Sequence, residues 1–162
     1  MQVRLASVDD AEAILAIYNH EVQTSTATLD LVPRTLDEQR EWIEARSGAF
    51  NVLVAENEGR VVGFAAISPY KERAAYRTTV ENGVYVHRNH HGQGIGRLLM
   101  TELIAAAAVN GFHAMIARIE SSNVASTKLH EACGFEMIGI EREVGRKFGR
   151  WLDVTVMQRT LS

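Results

Sequence analysis

The stretch that decides the fold is NGVYVH (82–87), followed at once by RNHHGQGIGRLLM (88–100). The first piece is a short β-branched and aromatic run, which predicts a strand. From Ile95 the apolar residues Leu98, Leu99, Leu103 and Ala107 recur at helical spacing, and Asn110-Gly111 closes the run, which predicts a helix. Between the two lies HGQGIGR (91–97). Glycine there permits a tight turn and lets a ligand approach the backbone with no Cβ in the way. The helix opening after it offers free N–H groups and the positive end of its dipole, a favourable place for a phosphate, and Arg97 adds a charge nearby. The spacing is neither the G-x-x-x-x-G-K-[ST] of a Walker loop nor the G-x-G-x-x-G of a dinucleotide site. A turn that binds nothing is the plain alternative.

Working outward, VRLAS (3–7) reads as a first strand, and Ser7 with Asp10 opens a helix whose apolar face is Ala13, Ile14, Ile17 and Tyr18. Thr35-x-x-Glu38 is a capping box for a second helix through Trp42 and Ile43. NVLVAE (51–56) and VVGFAAIS (61–68) form a hairpin about Asn57-Glu58-Gly59-Arg60. AMIARIE (114–120) is a strand, Asn123 caps a short helix ending near Gly134, and FEMIGIE (135–141) and LDVTVMQ (152–158) close as strands. The order β-α-α-β-β-β-α-β-α-β-β predicts a mixed α/β fold.

The 162 residues suit a single domain, 1–162. With 46% hydrophobic and 23% charged residues the chain has the composition of a globular protein, not of a disordered one. A net charge of -3 argues against nucleic acid as a partner. No run is apolar enough for a membrane span, and acidic residues come too early for a signal peptide. One cysteine, Cys133, excludes an internal disulfide and points to a cytoplasmic setting. His87, His90 and His91 have no nearby carboxylate or cysteine to complete a ligand set, so no metal is expected. His20 and His113 read as structural. Cys133 reads as a core residue at a helix end, and Trp42, Trp151, Phe148 and Tyr18 as packing residues.

VYV (84–86), GQGIGR (92–97) and Asn123 followed by Gly134-Phe135 resemble the GCN5-related N-acetyltransferase (GNAT) family. YNHEVQTSTATLD (18–30), AYRTTVENGVYV (75–86) and GRKFGRWLDVTVMQ (145–158) resemble its phosphinothricin and methionine sulfoximine N-acetyltransferase subfamily, so the likeness spans the chain. It implies the acyl-CoA N-acyltransferase fold, with splayed central strands of a mixed β-sheet binding acetyl-CoA. It implies that Gly92, Gln93, Gly94, Ile95, Gly96 and Arg97 hold the pyrophosphate, that Val84, Tyr85 and Val86 pair with the pantetheine arm, and that Asn123 and Ser126 face the cofactor. It also implies a homodimer formed around Trp151 and the late strands. The sequence departs from the pattern in places. His91 stands where the broad family has Gln or Arg, and His130 where many members have a tyrosine that protonates the leaving thiolate. Phe148 and Leu152 stand where phosphinothricin-specific enzymes have histidines; Thr78 replaces an aromatic residue and Arg77 an acidic one. These changes favour the methionine sulfoximine-like branch.

An amine attacks a thioester only when neutral, and an α-amino group has a pKa of ~8, so a base or relaying water is required. Glu81, just before VYV, is the candidate base, against the plain reading of a solvated strand-end glutamate. His130 is the candidate general acid, with water as its alternative. The backbone N–H of Tyr85 or Val86 is the candidate donor to the oxyanion. Arg73 and Arg77, one or both, are candidates to grip an amino acid's carboxylate, with Tyr76 and Thr79 lining the same pocket; two solvated loop arginines are the alternative. The expected activity is transfer of acetyl from acetyl-CoA to the amine of a small amino-acid-like molecule. Rival readings are a peptide or polyamine acceptor, and a non-catalytic acetyl-CoA sensor.

Overall fold

A computed structural model describes residues 1–46 and 48–161. The chain runs β1 (Gln2–Leu5), α1 (Ala11–Thr24), α2 (Leu36–Glu44), β2 (Val52–Asn57), β3 (Arg60–Pro69), β4 (Thr79–Val86), α3 (Ile95–Val109), β5 (Ala114–Glu120), α4 (Val124–Ala132), β6 (Glu136–Lys147) and β7 (Arg150–Thr160). This is the element order expected from the sequence. The seven strands form one sheet in the order β1-β2-β3-β4-β5-β7-β6. Every neighbouring pair is antiparallel except β4 and β5.

Local chemistry accounts for the boundaries. In the box that opens α2, Glu38 N–H donates to Thr35 Oγ1 (3.1 Å) and Thr35 N–H to Glu38 Oε1 (3.0 Å). The β2–β3 hairpin turns through Glu58 and Gly59 at φ 52° and 77°, a two-residue turn whose twist matches the strands. Helices cover both faces of the sheet. Ile14, Ile17, Tyr18 and Val22 of α1 and Ile43 of α2 pack on Val52, Val54, Phe64 and Ala66. Leu99, Met100, Leu103 and Ala107 of α3 pack on the other face against Ala65, Ile67, Val80, Met115 and Ala117. Each such buried Leu or Ile contributes ~1.5–3 kcal/mol of transfer free energy.

The structure corrects several expectations. β4 begins at Thr79, three residues before the predicted start, because Thr79, Val80 and Glu81 pair with β5. β6 continues to Lys147 and β7 starts at Arg150, so a hairpin joins them through Phe148 and Gly149 at φ 52° and 73°. The charged segment 142–147 hid this strand. It lies on the sheet's edge, exposed along most of its length, and a bulge interrupts its alternation where Glu143, at φ 53°, donates its N–H to Asp153 (2.8 Å). Phe148 and Trp151 are exposed instead of packed in the core, with the Arg146 guanidinium over the Trp151 ring. Leu98 of α3 is also exposed.

The placement of the site depends on one feature. β4 and β5 share only the rungs Thr79↔Ala114, Val80↔Met115 and Glu81↔Ile116. Beyond them β3 holds β4 as far as Val86, and β7 holds β5 as far as Glu120. Each strand follows the twist of its own half-sheet, and a wedge opens between them.

Candidate active site

The wedge contains a cavity of about 330 Å³ lined by Asn82 to Val86 of β4, Ala117 to Glu120 of β5, the glycine loop, and Asn123, Ser126 and His130 at and within α4. Backbone pairing decides what β4 presents to it. His87 N–H donates to the Val62 carbonyl (2.8 Å), and Gly83, Tyr85 and His87 lie on alternate positions of the regular β3–β4 ladder. Those three turn their N–H and C=O towards β3, whereas Asn82, Val84 and Val86 turn theirs into the wedge. The Tyr85 N–H therefore points away from the wedge, and those of Val84 and Val86 point into it. The Tyr85 ring lies on the α1 side, stacked on Phe64 and edge-on to Tyr18.

At the far end of β4, Gly92 and Gly94 adopt φ 76° and 79°, a region where any side chain would be strained. Gly94 is the N-cap of α3, so the loop delivers the helix's free N–H groups to the cavity. His91 donates its Nε2–H to the Val86 carbonyl (2.9 Å) and ties the loop to its strand. Gly92, Gly94, Ile95 and Gly96 line the cavity; Gln93 and Arg97 are exposed and lie outside its lining. Asn123 Oδ1 accepts from Ser126 N–H (3.1 Å), so the cap reading holds, and both residues also face the cavity.

Glu81 occupies the last rung before the strands part and is not among the residues that line the cavity. Burial pushes its carboxyl pKa upward; Arg118 pulls it down and Glu141 pushes it up again. Arg118 and Glu141 are themselves an ion pair. A carboxylate so placed can take a proton closer to neutrality than an ordinary glutamate. Buried His130 has Nδ1 2.7 Å from the Ser126 carbonyl and Nε2 3.1 Å from Asn82 Oδ1, with its ring edge-on to Phe135. Burial pushes its pKa below that of an ordinary histidine.

Sequence reasoning missed Asn82 and Glu120. Glu120 is buried at the end of β5. Burial works to raise its pKa, but the Ser122 hydroxyl and N–H and the Thr26 hydroxyl (2.7 Å) outweigh it and hold the carboxyl below its ordinary value. The bond to Thr26 fixes the loop after α1 against the wedge. The pattern Glu120-x-Ser122 at a strand end was the available signal. Arg73, Tyr76 and Arg77 lie exposed on the segment leading into β4, and Thr79 is half-buried at its start; none lines the cavity. Among the described residues no group of three or more His, Cys, Asp or Glu could hold a metal ion, and no helix is long and apolar enough to cross a membrane.

Comparison with known proteins agrees with this arrangement. The model of the acetyltransferase (GNAT) family matches residues 14–135. The chain is 43% identical over 162 residues to the L-methionine sulfoximine/L-methionine sulfone acetyltransferase of Salmonella typhimurium, covering 99% of this chain and 95% of the relative. It is 42% identical over 162 residues to the phosphinothricin N-acetyltransferase of Alcaligenes faecalis, covering 99% and 82%. Among solved structures it superposes with a TM-score of 0.98 on yncA from Salmonella typhimurium with its cofactor acetyl-CoA, at 42% identity, covering 100% of this chain and 94% of that one. A wedge cut into a mixed sheet, a glycine loop at a helix N-terminus and these likenesses lead to one conclusion: the chain belongs to the GNAT family of acetyltransferases.

Proposed function

We propose that the protein, acting as one domain, acetylates the α-amino group of a small amino acid or analogue, of the methionine sulfoximine, methionine sulfone or phosphinothricin type. The observation that carries this reading is Glu81 on the last β4–β5 rung, a raised-pKa carboxylate at the point in the sheet where the two strands part. The cavity suits acetyl-CoA. Gly92 and Gly94 expose backbone N–H groups at the start of α3, and Val84 and Val86 offer a strand edge to an amide-bearing arm. Bound there, acetyl-CoA supplies the acyl group and the thiol that leaves with the reaction.

The remaining work belongs to the chain. Glu81 accepts a proton from the acceptor's amine, directly or through a water. The N–H of Val84 or Val86 steadies the negative charge on the carbonyl oxygen. Arg73, Arg77 or both grip the acceptor's carboxylate, with Tyr76 and Thr79 beside them; their place on the segment entering β4, close in sequence to Glu81, supports that role. The two relatives differ by a single percentage point in identity, so the preference for the sulfoximine type rests on Phe148, Leu152, Thr78 and Arg77. We further infer a homodimer in the cytoplasm. Met137, Ile138, Ile140, Val144, Phe148 and Trp151, on β6, on β7 and in the turn between them, are all exposed apolar side chains, which supports a dimer formed there.

Thiol release from acetyl-CoA against free amino acids, methionine sulfoximine, methionine sulfone, phosphinothricin, polyamines and short peptides tests the proposal. Turnover concentrated on one amino-acid analogue is expected. Turnover on a peptide or polyamine alone moves the acceptor class, and tight acetyl-CoA binding with no turnover on any amine turns the reading to a sensor.

A further inference from the structure

Nδ1 of His130 lies 2.7 Å from the Ser126 carbonyl and 3.5 Å from the Ser126 hydroxyl, and the shorter contact sets the tautomer of a neutral ring. The Ser126 carbonyl beside Nδ1 can only accept, so Nδ1 carries the proton. A neutral imidazole then has a bare lone pair on Nε2, and its neighbour there is the Asn82 carboxamide. With the carboxamide oxygen turned to the ring, two acceptors face each other and the Asn82 NH₂ is buried with no partner among the described residues. Half a turn of the amide removes the clash and gives the NH₂ its acceptor. The oxygen-facing arrangement instead requires an imidazolium. Two influences act on the ring's titration: burial, which opposes the charged form, and the weaker effect of the Ser126 carbonyl, which favours it. Glu81 and Arg118 alternate with residues that face α3 and α4, and so project from the other side of the sheet.

The position of this pair gives it a purpose. Asn82 is the first residue past the last β4–β5 rung, and His130 sits on α4, which follows β5. The bond joins the two diverging halves just where the wedge begins. We infer that Asn82 is a positioning residue whose carboxamide NH₂ donates to Nε2 of His130, fixing the imidazole neutral with its proton on Nδ1, so that His130 braces the wedge and does not hand a proton to the departing thiolate. The catalytic consequence rests on the acetyl-transfer reading; the tautomer does not.

The test is the ¹H–¹⁵N correlation spectrum of full-length protein labelled in its histidine nitrogens, with kcat measured against pH on the same samples. In the wild type, His130 shows a protonated Nδ1 and a bare Nε2 throughout the pH range of activity, and kcat has no alkaline limb. Asn82→Ala releases Nε2, the ring samples other states, and kcat falls by roughly tenfold with little change in acetyl-CoA KM. Asn82→Asp, which offers only acceptors once ionised, draws a proton onto Nε2. A proton on Nε2 in the wild type overturns the inference. So does an alkaline kcat limb that disappears in His130→Gln; if that variant does not fold, the wild-type spectrum decides alone. The spectrum needs no acceptor. Absence of turnover with the tautomer intact counts against the acetyl-transfer reading, and the wrong tautomer in an active enzyme counts against this one.

Discussion

At the C-terminal end of β4 the protein offers a ligand mainly its backbone: the wedge-facing groups of Val84 and Val86, the glycine turn, and the first N–H groups of α3. At the apex, three rungs into the same strand, side chains brought from afar gather on the two sides of the sheet. Glu81 meets the field of Arg118 from β5 and Glu141 from β6, and His130 arrives from α4. The first end is made by contiguous sequence and barely depends on which non-glycine side chains are present. The second depends on the whole sheet. Under the proposed function the two ends divide the labour: the backbone end takes what every acetyl transfer shares, and the side-chain end takes proton movement and acceptor.

The largest expected effect falls at the side-chain end. Glu81→Gln should lower kcat by ~10²-fold or more and leave acetyl-CoA affinity nearly untouched, as read by steady-state kinetics and titration of the cofactor; an unchanged rate would remove Glu81 from the mechanism. The same substitution sharpens the comparison through stability. The folded state raises the pKa of Glu81, so it holds a proton that the unfolded chain has already released. Stability from this group is lost as pH rises from the ordinary glutamate value through the raised one. Glu81→Gln should therefore melt higher than the wild type near neutral pH, while the acid limb of the wild-type kcat profile lies above the range of an exposed glutamate.

Next in size, Arg73→Ala and Arg77→Ala should raise acceptor KM without moving acetyl-CoA KM. Loss of a charge-assisted hydrogen bond is worth ~1.5–3 kcal/mol, which corresponds to roughly tenfold or more. If neither variant shifts acceptor KM, the carboxylate grip lies elsewhere. The smallest effect belongs to the backbone end. Gly94→Ala forces a Cβ into left-handed backbone at ~1–2 kcal/mol, so acetyl-CoA KM should rise roughly tenfold with kcat much less affected. A kcat loss of the same size would show that the two ends are not separable.

The same division explains what the sequence made legible. The glycine loop, the α2 capping box, the Asn123 cap and the order of all eleven elements follow from local spacing, and each appears in the structure. Glu81 was legible as a residue near VYV, but not as the last rung of a ladder, because pairing with Ile116 joins segments far apart in sequence. Asn82 escaped notice because its importance comes from a histidine 48 residues away, and nothing local marks it. From sequence alone the Tyr85 N–H is as good a donor as that of Val86, because a strand's outward side is fixed by its partner and only the β3 register turns Tyr85 away. The end of β6 was missed for a related reason. An edge strand with a bulge has no buried face to impose alternation, so its charged residues read as loop.

The short β4–β5 ladder has a consequence beyond catalysis. A strand edge with free N–H and C=O groups usually invites pairing with another chain, and proteins shield such edges with charge, bulges or short length. Here the open edge from Asn82 to Val86 lies in the middle of the sheet, between β4 and β5 and beneath α3 and α4. Another protein's strand would have to bring its own side chains and neighbours into a slot one chain wide. A slender molecule carrying only amides meets no such obstacle. By putting its most adhesive edge inside the sheet, the fold keeps it open to small ligands and closed to aggregation.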